Sequence, residues 1–510
     1  MNEKKPKGLM KELDLITTFL PFICICILCI MFVLYPTKSS DILESIRYFL
    51  GDRLGSFYLV IGLGIFICSI YLSFSRFGKI KLGEIGKPQY SNFKWGSMMF
   101  TAGLAADILF YSCCEWMYYW NEPRVGDMGS LEEWAATYPL FHWGPIPWGF
   151  YLVLAVAFGF MLHVRKRSKQ KYSESCRALL GDRVDGWMGK VIDIVAVFAL
   201  LAGTATTFSV ATPLLSLAIS RITGIAQSTT LTILILVFVC CIYTCSVYFG
   251  MKGIIRSAAC CTYLFFTLLV YVFFFGGESQ FIVEMGITSL GNMVQNFIGL
   301  STWTDSLRTS SFPQTWTIFY WAYWMVWCVA APFFIGAISK GRTIRQTILG
   351  GYIFGLAGTF VSFIILGNYG LGMQVHGVLD SVSLFNQSGD LYASIILILE
   401  QLPLAKIVLV LLVLCMVMFY STSFDSITMV ASAYSYKKLE NDQEPDKRVK
   451  LFWAILLILL PIALIFSESS MENLKTVSII AAFPVGFIMI LIVASFFKDA
   501  SAYLREKEKE

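Results

Sequence analysis

The stretch FYWAYWMVW, Phe319 to Trp327, puts six aromatic rings into nine residues inside an apolar run long enough to cross a bilayer. Lipid-facing surface is mainly aliphatic, and membrane interfaces hold Trp and Tyr only in a thin belt. Neither setting accounts for so dense a run with more apolar sequence after it. At about 100° per residue, Tyr323, Trp324 and Trp327 fall within roughly a 100° arc of a helix. Trp316 lies two turns before Tyr323 on nearly the same face, and Trp321 points away. One side of this span therefore carries a ladder of ring faces turned toward other protein.

The rest of the chain supplies that protein inside a membrane. Of its 510 residues 57% are hydrophobic and 14% charged, and the mean hydropathy is +0.68. Soluble domains are nearer half apolar and a quarter charged. Windows of about 20 apolar residues, enough to span a bilayer, recur along the whole length. The fold class expected is an all-α polytopic membrane protein with twelve transmembrane helices. They lie at roughly 14–35, 55–76, 92–120, 140–163, 189–220, 229–249, 254–276, 313–339, 343–370, 400–435, 450–468 and 474–497. Basic residues gather before the first span and after the second, fourth, eighth and tenth, whereas the loop after the third carries Glu122, Asp127, Glu132 and Glu133 against Arg124. The positive-inside bias then places both termini in the cytoplasm of a multi-pass plasma-membrane protein. Between spans seven and eight, ESQFIVEMGITSLGNMVQNFIGL (278–300) is too polar to cross and reads as an amphipathic helix at the outer interface. No signal peptide and no soluble module are expected at either end.

Several function classes are disfavoured. The 14 cysteines sit mostly within apolar runs, where Cys behaves as a small hydrophobe, and imply no disulfide framework. The three histidines, His142, His163 and His376, are too far apart for a zinc site or an intramembrane protease. The net charge of +5 belongs to the basic loops and does not imply nucleic acid. The chain is expected not to be an enzyme, and no repeated pore-lining rings suggest a channel.

The aromatic ladder admits two readings: ring packing between helices, or a cage for a cation without hydrogen-bond donors. A quaternary ammonium group cannot donate a hydrogen bond and is commonly held by ring quadrupoles. A cage needs walls from other spans. FHWGPIPW (Phe141–Trp148) opens span four with a Trp and two prolines, and FYSCCEWMYYW (Phe110–Trp120) closes span three with more rings. Together FHWGPIPW, FPQTWTIFYWAYWMVW (Phe312–Trp327) and ISKGRTIRQ (Ile338–Gln346) resemble the signature stretches of the betaine/choline/carnitine transporter family. The resemblance runs from about Trp95 to Lys498 in order and spacing. Length and loops look most like the carnitine/γ-butyrobetaine antiporter branch.

That resemblance implies a LeuT-like fold with an inverted repeat of five plus five helices, preceded by two peripheral helices, and usually a homotrimer. The corresponding division is 1–88 for the N-terminal tail and two peripheral helices, 89–280 for the first repeat, 281–312 for the outer helix and loop, 313–498 for the second repeat and 499–510 for the tail. It also implies site residues. Trp324, Trp327 and Trp143 match the core of the family's aromatic box, and Tyr323 stands where relatives have a further Trp. Tyr118 matches a Tyr of the antiporter's site, and Trp316 an aromatic of an outer, transient site. Trp327 departs from the antiporter branch, which has Tyr there, and agrees with the sodium-coupled betaine branch.

Asp107, in AGLAADILFYS, lies in the middle of span three, where a carboxylate is costly and usually faces a cavity or a partner. It is either a structural acid or one that faces substrate. In relatives that take betaine this stretch is glycine-rich. A fixed negative charge there suits a cation without its own carboxylate and favours choline over betaine or carnitine. A second intramembrane acid, Asp425, follows Thr422 and Ser423, which match the hydroxyl pair that ligates sodium in coupled relatives. Thr101, Leu104 and Phe419 would add backbone carbonyls, and Thr204 and Thr207 match a second sodium site. Hydroxyls and carbonyls are the hard oxygen donors a small cation needs. Such Ser and Thr side chains more often bond their own backbone or a neighbouring helix. Where sodium-independent antiporters have an arginine and a methionine, this chain has Thr262 and Ala331. No cofactor is implied beyond a coupling sodium ion. The expected activity is sodium-coupled import of a quaternary ammonium compound by alternating access. Ion-independent exchange and proton-coupled choline transport are the alternatives.

Overall fold

A computed structural model describes residues 9–103, 106–439, 443–466 and 471–510. Among the described residues all regular structure is helical. The extended pairing consists of two isolated bridges, Leu13 with Tyr436 and Lys81 with Thr343. The chain opens with α1 (Leu15–Leu34), α2 (Pro36–Arg47) and α3 (Ser56–Phe74). There follow α4 (Asn92–Gly103), α5 (Asp107–Trp120), α6 (Leu131–His142), α7 (Pro145–Gly159), α8 (Trp187–Thr223), α9 (Thr229–Tyr248) and α10 (Met251–Phe275). After α11 (Ser279–Thr302) come α12 (Ile318–Trp327), α13 (Ala331–Ile338), α14 (Ile344–Ser362), α15 (Asn368–Val375) and α16 (Leu391–Glu400). The chain closes with α17 (Ala405–Tyr434), α18 (Lys447–Phe466) and α19 (Met471–Lys507).

Local sequence explains the ends that matter. Pro145 starts α7 at the position where a missing N–H costs nothing. Gly224 takes a left-handed conformation to cap α8, donating to the Ser220 carbonyl. Thr343 and Gln346 form a reciprocal capping box at the start of α14.

Among the described residues, eight helices are long and apolar enough to cross a membrane, and ten if each of two bent pairs forms one span. The bent pairs are α4 with α5, at 61°, and the segment Pro313–Trp327 with α13, at 51°. Both fall inside stretches that the hydropathy pattern reads as single spans. In the second, Ala330 donates to the Trp327 carbonyl, and Pro332, which lacks an N–H, restarts the chain one residue into α13. The shortfall against twelve falls on α1 and α18. Each is 20 residues long at its expected place, and each includes residues whose side chains lie outside the description. The polar stretch between spans seven and eight is helical as α11. The last helix runs through the expected tail as far as Lys507.

The described parts of the five basic segments meet at one end of the bundle. Asp14 donates through its backbone N–H to Ser435, Leu82 to Arg342 and Leu439 to Ser168. Arg165 pairs with Asp499 at 2.8 Å and with Glu506 at 2.8 Å, fastening the final helix to the same end. A vestibule with about 1920 Å³ of atom-free space opens there between α13 and α17, lined by Phe333, Phe334, Met429 and Val430. α7 is buried around its whole circumference, whereas α9 exposes Leu234, Val237 and Phe238 on one side. The core helices approach closely: a Cβ on Gly358 of α14 would lie 1.8 Å from the Phe100 ring of α4.

Candidate functional site

A central cavity with about 340 Å³ of atom-free space lies among α4, α5, α7, α12 and α17. Its walls are Ala102 and Gly103 at the end of α4, Asp107 at the start of α5, Trp143 and Tyr151 around α7, Tyr323, Trp324 and Trp327 of α12, and Ser423 of α17. Trp324 is the hub of the rings. Its centroid lies 5.5 Å from Trp143 at 72°, 5.0 Å from Tyr151 and 5.8 Å from Trp148. Tilted and edge-on pairs are the arrangements that ring quadrupoles favour. The Trp324 indole N–H is buried without a hydrogen-bond acceptor among the described residues. Trp327 packs toward Gly203 of α8, whose missing side chain makes room for the indole.

Asp107 enters this cavity with only 3% of its surface exposed, and its Oδ2 accepts a short hydrogen bond from the Tyr323 hydroxyl. That hydroxyl also lies 2.6 Å from Thr207 Oγ1. The structure thus joins α5, α12 and α8 through one polar chain beside the cage. Thr207 is engaged with Tyr323, while Thr204 turns back to the Leu200 carbonyl at 2.8 Å, so the two hydroxyls make separate contacts.

At the cavity edge Ser423 Oγ donates to the Thr101 carbonyl at 3.2 Å, linking α17 to the last turn of α4. Thr422 donates to the carbonyls of Met418 (3.0 Å) and Phe419 (3.2 Å) on its own helix. Ser423 thus reaches across to the Thr101 carbonyl, whereas Thr422 bonds carbonyls of its own helix, that of Phe419 among them; Leu104 lies outside the described residues. Asp425 faces elsewhere, accepting from Ser246 of α9 at 2.6 Å. Thr262 donates to its own helix at the Ala258 carbonyl.

Two expected substrate residues stand apart from the cavity. Tyr118 packs on Trp316 at 4.9 Å, and Trp316 donates its indole N–H to Glu122 at 2.6 Å. With Tyr119, Tyr138 and Phe312 they form a ring cluster on the side of the cage away from the basic loops. Sequence reading missed Tyr151 and Trp148, which follow Trp143 on the next turns of α7. It also passed over Glu115, fully buried, whose Oε2 accepts from the Trp143 indole N–H at 2.7 Å. Its signal is present in the sequence: Asp107, Tyr111 and Glu115 recur every four residues, sharing one face of a helix.

A many-spanned helical bundle with two broken spans around a central aromatic cavity defines a membrane carrier of a small organic molecule. The family model described as BCCT, betaine/carnitine/choline family transporter, matches residues 16–505, and the chain belongs to that family. It is similar to a carnitine transporter of Acinetobacter baumannii, 30% identical over 431 residues that cover 83% of this chain and 77% of the relative. A probable glycine betaine transporter of Desulfitobacterium hafniense is 30% identical over 483 residues, 92% of this chain and 95% of the relative. The uncharacterized transporter YeaV of Escherichia coli is 28% identical over 433 residues, 84% and 89% of the two chains. The family is one of transporters and not of enzymes.

Proposed function

We propose that this chain imports choline across the plasma membrane by alternating access, coupled to sodium, with both termini cytoplasmic and three copies assembled. In this reading it has twelve spans, ten of them forming the inverted repeat, and α4–α5 and α12–α13 are the broken first helices of the two halves. The trimethylammonium group sits among Trp143, Trp324, Trp327 and Tyr323, with Trp316 and Tyr118 as an outer station on the way in. Sodium binds at Ser423, Thr422 and the Thr101 and Phe419 carbonyls.

One observation carries the choice of substrate: a carboxylate, Asp107, lines the aromatic cavity itself. A cation in that cavity gains from both the rings and the charge. Betaine and carnitine carry a carboxylate that Asp107 repels. The name of the A. baumannii relative keeps carnitine among the compounds to be tried.

A second reading, proton coupling, is supported by the contact between Asp107 and Tyr323. A carboxyl that contacts substrate and shares a proton-bearing partner can trade a proton for the cation. Thr207, expected at a second sodium site, is already engaged by Tyr323, which also favours this reading.

The test is uptake of labelled choline, betaine and carnitine into proteoliposomes under a sodium gradient, a proton gradient or neither. Choline uptake that needs sodium supports the first reading, and uptake that follows the proton gradient supports the second. Transport of betaine or carnitine in preference to choline would overturn the substrate assignment.

A further inference from the structure

We propose that Glu115 sets the cation selectivity of the cage from outside it, by polarising the indole of Trp143 through the hydrogen bond it accepts. The proposal deepens the reading of the cavity as a quaternary ammonium site and rests on it. Glu115 is a positioning residue, since it acts through Trp143 and does not line the cavity.

Glu115 sits two turns beyond Asp107 on α5, with none of its surface exposed. A carboxylate buried in a membrane protein is retained only where donors satisfy it or function requires it. Both oxygens are engaged. Oε2 accepts from Trp143 Nε1 at 2.7 Å and Oε1 from the Tyr119 hydroxyl at 2.6 Å. These short contacts have the lengths of hydrogen bonds to an ionised acceptor. Tyr119 is in turn 2.6 Å from His142 Nδ1, and His142 Nε2 is 3.0 Å from the Thr317 hydroxyl. His142 also stacks on Tyr320, with centroids 4.7 Å apart and planes at 18°. The network fixes the carboxylate from three elements and aims one oxygen at the indole.

The chemistry follows from what a cation–π contact is. The attraction comes from the negative face of the ring. An indole N–H that donates to a carboxylate gains electron density in its π system, so a cation on that face is held more tightly. A neutral amide in place of the carboxylate supplies the same hydrogen-bond geometry without the charge. The arrangement therefore discriminates by ligand charge, and a purely mechanical support for Trp143 would not.

The experiment compares binding of choline with that of its neutral isostere 3,3-dimethyl-1-butanol, by competition against labelled choline in the purified full-length transporter. Glu115→Gln is expected to weaken choline about 3- to 30-fold, the range spanned by cation–π contacts, and to leave the isostere within about twofold. In a Trp143→Phe background, which lacks the N–H, Glu115→Gln is expected to have no further effect on choline. Parallel weakening of both ligands overturns the proposal in favour of a packing role. An undiminished effect of Glu115→Gln in the Trp143→Phe background overturns it in favour of direct charge action. Wild-type protein that binds no quaternary ammonium compound at all overturns the cage reading itself, and the proposal with it. Should Glu115→Gln not fold, Tyr119→Phe asks the same question with the carboxylate in place. Removing one competing donor strengthens the carboxylate's hold on the indole, so the ratio of choline to isostere affinity holds or rises, and a fall in that ratio overturns the proposal.

Discussion

Replacing Asp107 by Asn removes one charge from the cavity and keeps an acceptor for the Tyr323 hydroxyl that now donates to Oδ2. A trimethylammonium held among Trp143, Trp324 and Trp327 shares its cavity with this carboxylate. At a separation of about 4–5 Å and an effective dielectric near 20, the attraction is roughly 3–4 kcal/mol. The amide dipole of Asn recovers part of this, so choline affinity should fall about 10- to 100-fold, equivalent to some 1.4–2.7 kcal/mol. Betaine differs in carrying its own carboxylate. With that group roughly 6–7 Å from Asp107, repulsion of about 2–3 kcal/mol nearly cancels the attraction, and Asn should change betaine affinity less than about fivefold. The assay is competition by each compound against labelled choline in proteoliposomes, with elution profiles confirming that the variant folds. If choline and betaine weakened by the same factor, the charge would not be reading the substrate. Asp107 would then be an anchor for Tyr323, and the electrostatic argument would be refuted.

Ser423→Ala removes a hydroxyl of the proposed ion locus beside the Thr101 carbonyl. The sodium concentration for half-maximal uptake should rise about tenfold, the effect of one ligand worth ~1.4 kcal/mol, with choline affinity at saturating sodium little changed; an unaltered sodium curve would remove this locus from the coupling scheme. Gly358→Ala places a methyl 1.8 Å from a Phe100 ring atom and should cost about 1–3 kcal/mol, seen as a lower melting temperature. Gly64→Ala, with no atom within 4 Å of the new methyl, should be neutral or stabilising by up to ~1 kcal/mol in the same melt; equal effects would contradict the close approach of α4 and α14. In the loop before α12, the Asp305 carboxylate accepts from the backbone N–H groups of Thr309, Ser310 and Ser311. Burial pushes its pKa up, but these donors outweigh it and hold the carboxyl below the usual carboxylate range. Its contribution to loop stability is complete above the ordinary pKa of about 3.9 and is lost as pH falls through the lowered folded value. Asp305→Asn should therefore speed amide exchange at Thr309–Ser311 at neutral pH, and slow exchange in the variant would show that the carboxylate does not hold the loop.

The legible parts of this molecule were those written in local pattern. Runs of about 20 apolar residues gave helices at their expected places, because backbone hydrogen bonding leaves a membrane segment little else to form. The tryptophans of α12 and the Trp before Pro145 were visible as unusual ring density, and Asp107 as a charge in an apolar run. Contacts between distant segments were not legible. Thr207 was read as an ion ligand, and its contact with Tyr323, 116 residues away, follows only from the packing of α8 on α12. Tyr118 and Tyr119 both touch Trp316, yet about 100° of helical turn sends Tyr118 on against Phe385, while the Tyr119 hydroxyl reaches Glu115. Glu115 was masked by its neighbours. Within CCEWMYYW an acid near a span end looks like an interface residue; its spacing from Asp107 puts the two on one face of the helix, but its contact with Trp143 follows only from the fold.

The two broken spans sharpen the question of which end of a substrate the cavity favours. α4 ends at Gly103 and α12 at Trp327, and both residues line the cavity. Helix C-termini carry partial negative charge, worth about 0.3–1 kcal/mol to a nearby cation, so two of them favour an ammonium group. The start of α5 is the opposite case, a positive helix end of the kind that in such folds receives a substrate carboxylate. Here its first residue is Asp107, which places the protein's own carboxylate at that end. Asp107→Gly should do what Asp107→Asn does not: besides removing the charge, it clears the side chain and opens the N–H groups of α5 to an incoming carboxylate. Betaine uptake should then rise in absolute terms and overtake choline, whereas in Asp107→Asn choline falls without a matching gain for betaine. Identical betaine uptake in the two variants would mean that the helix end plays no part and that charge alone sets the preference. An unchanged order of substrates in both would leave Asp107 a structural acid.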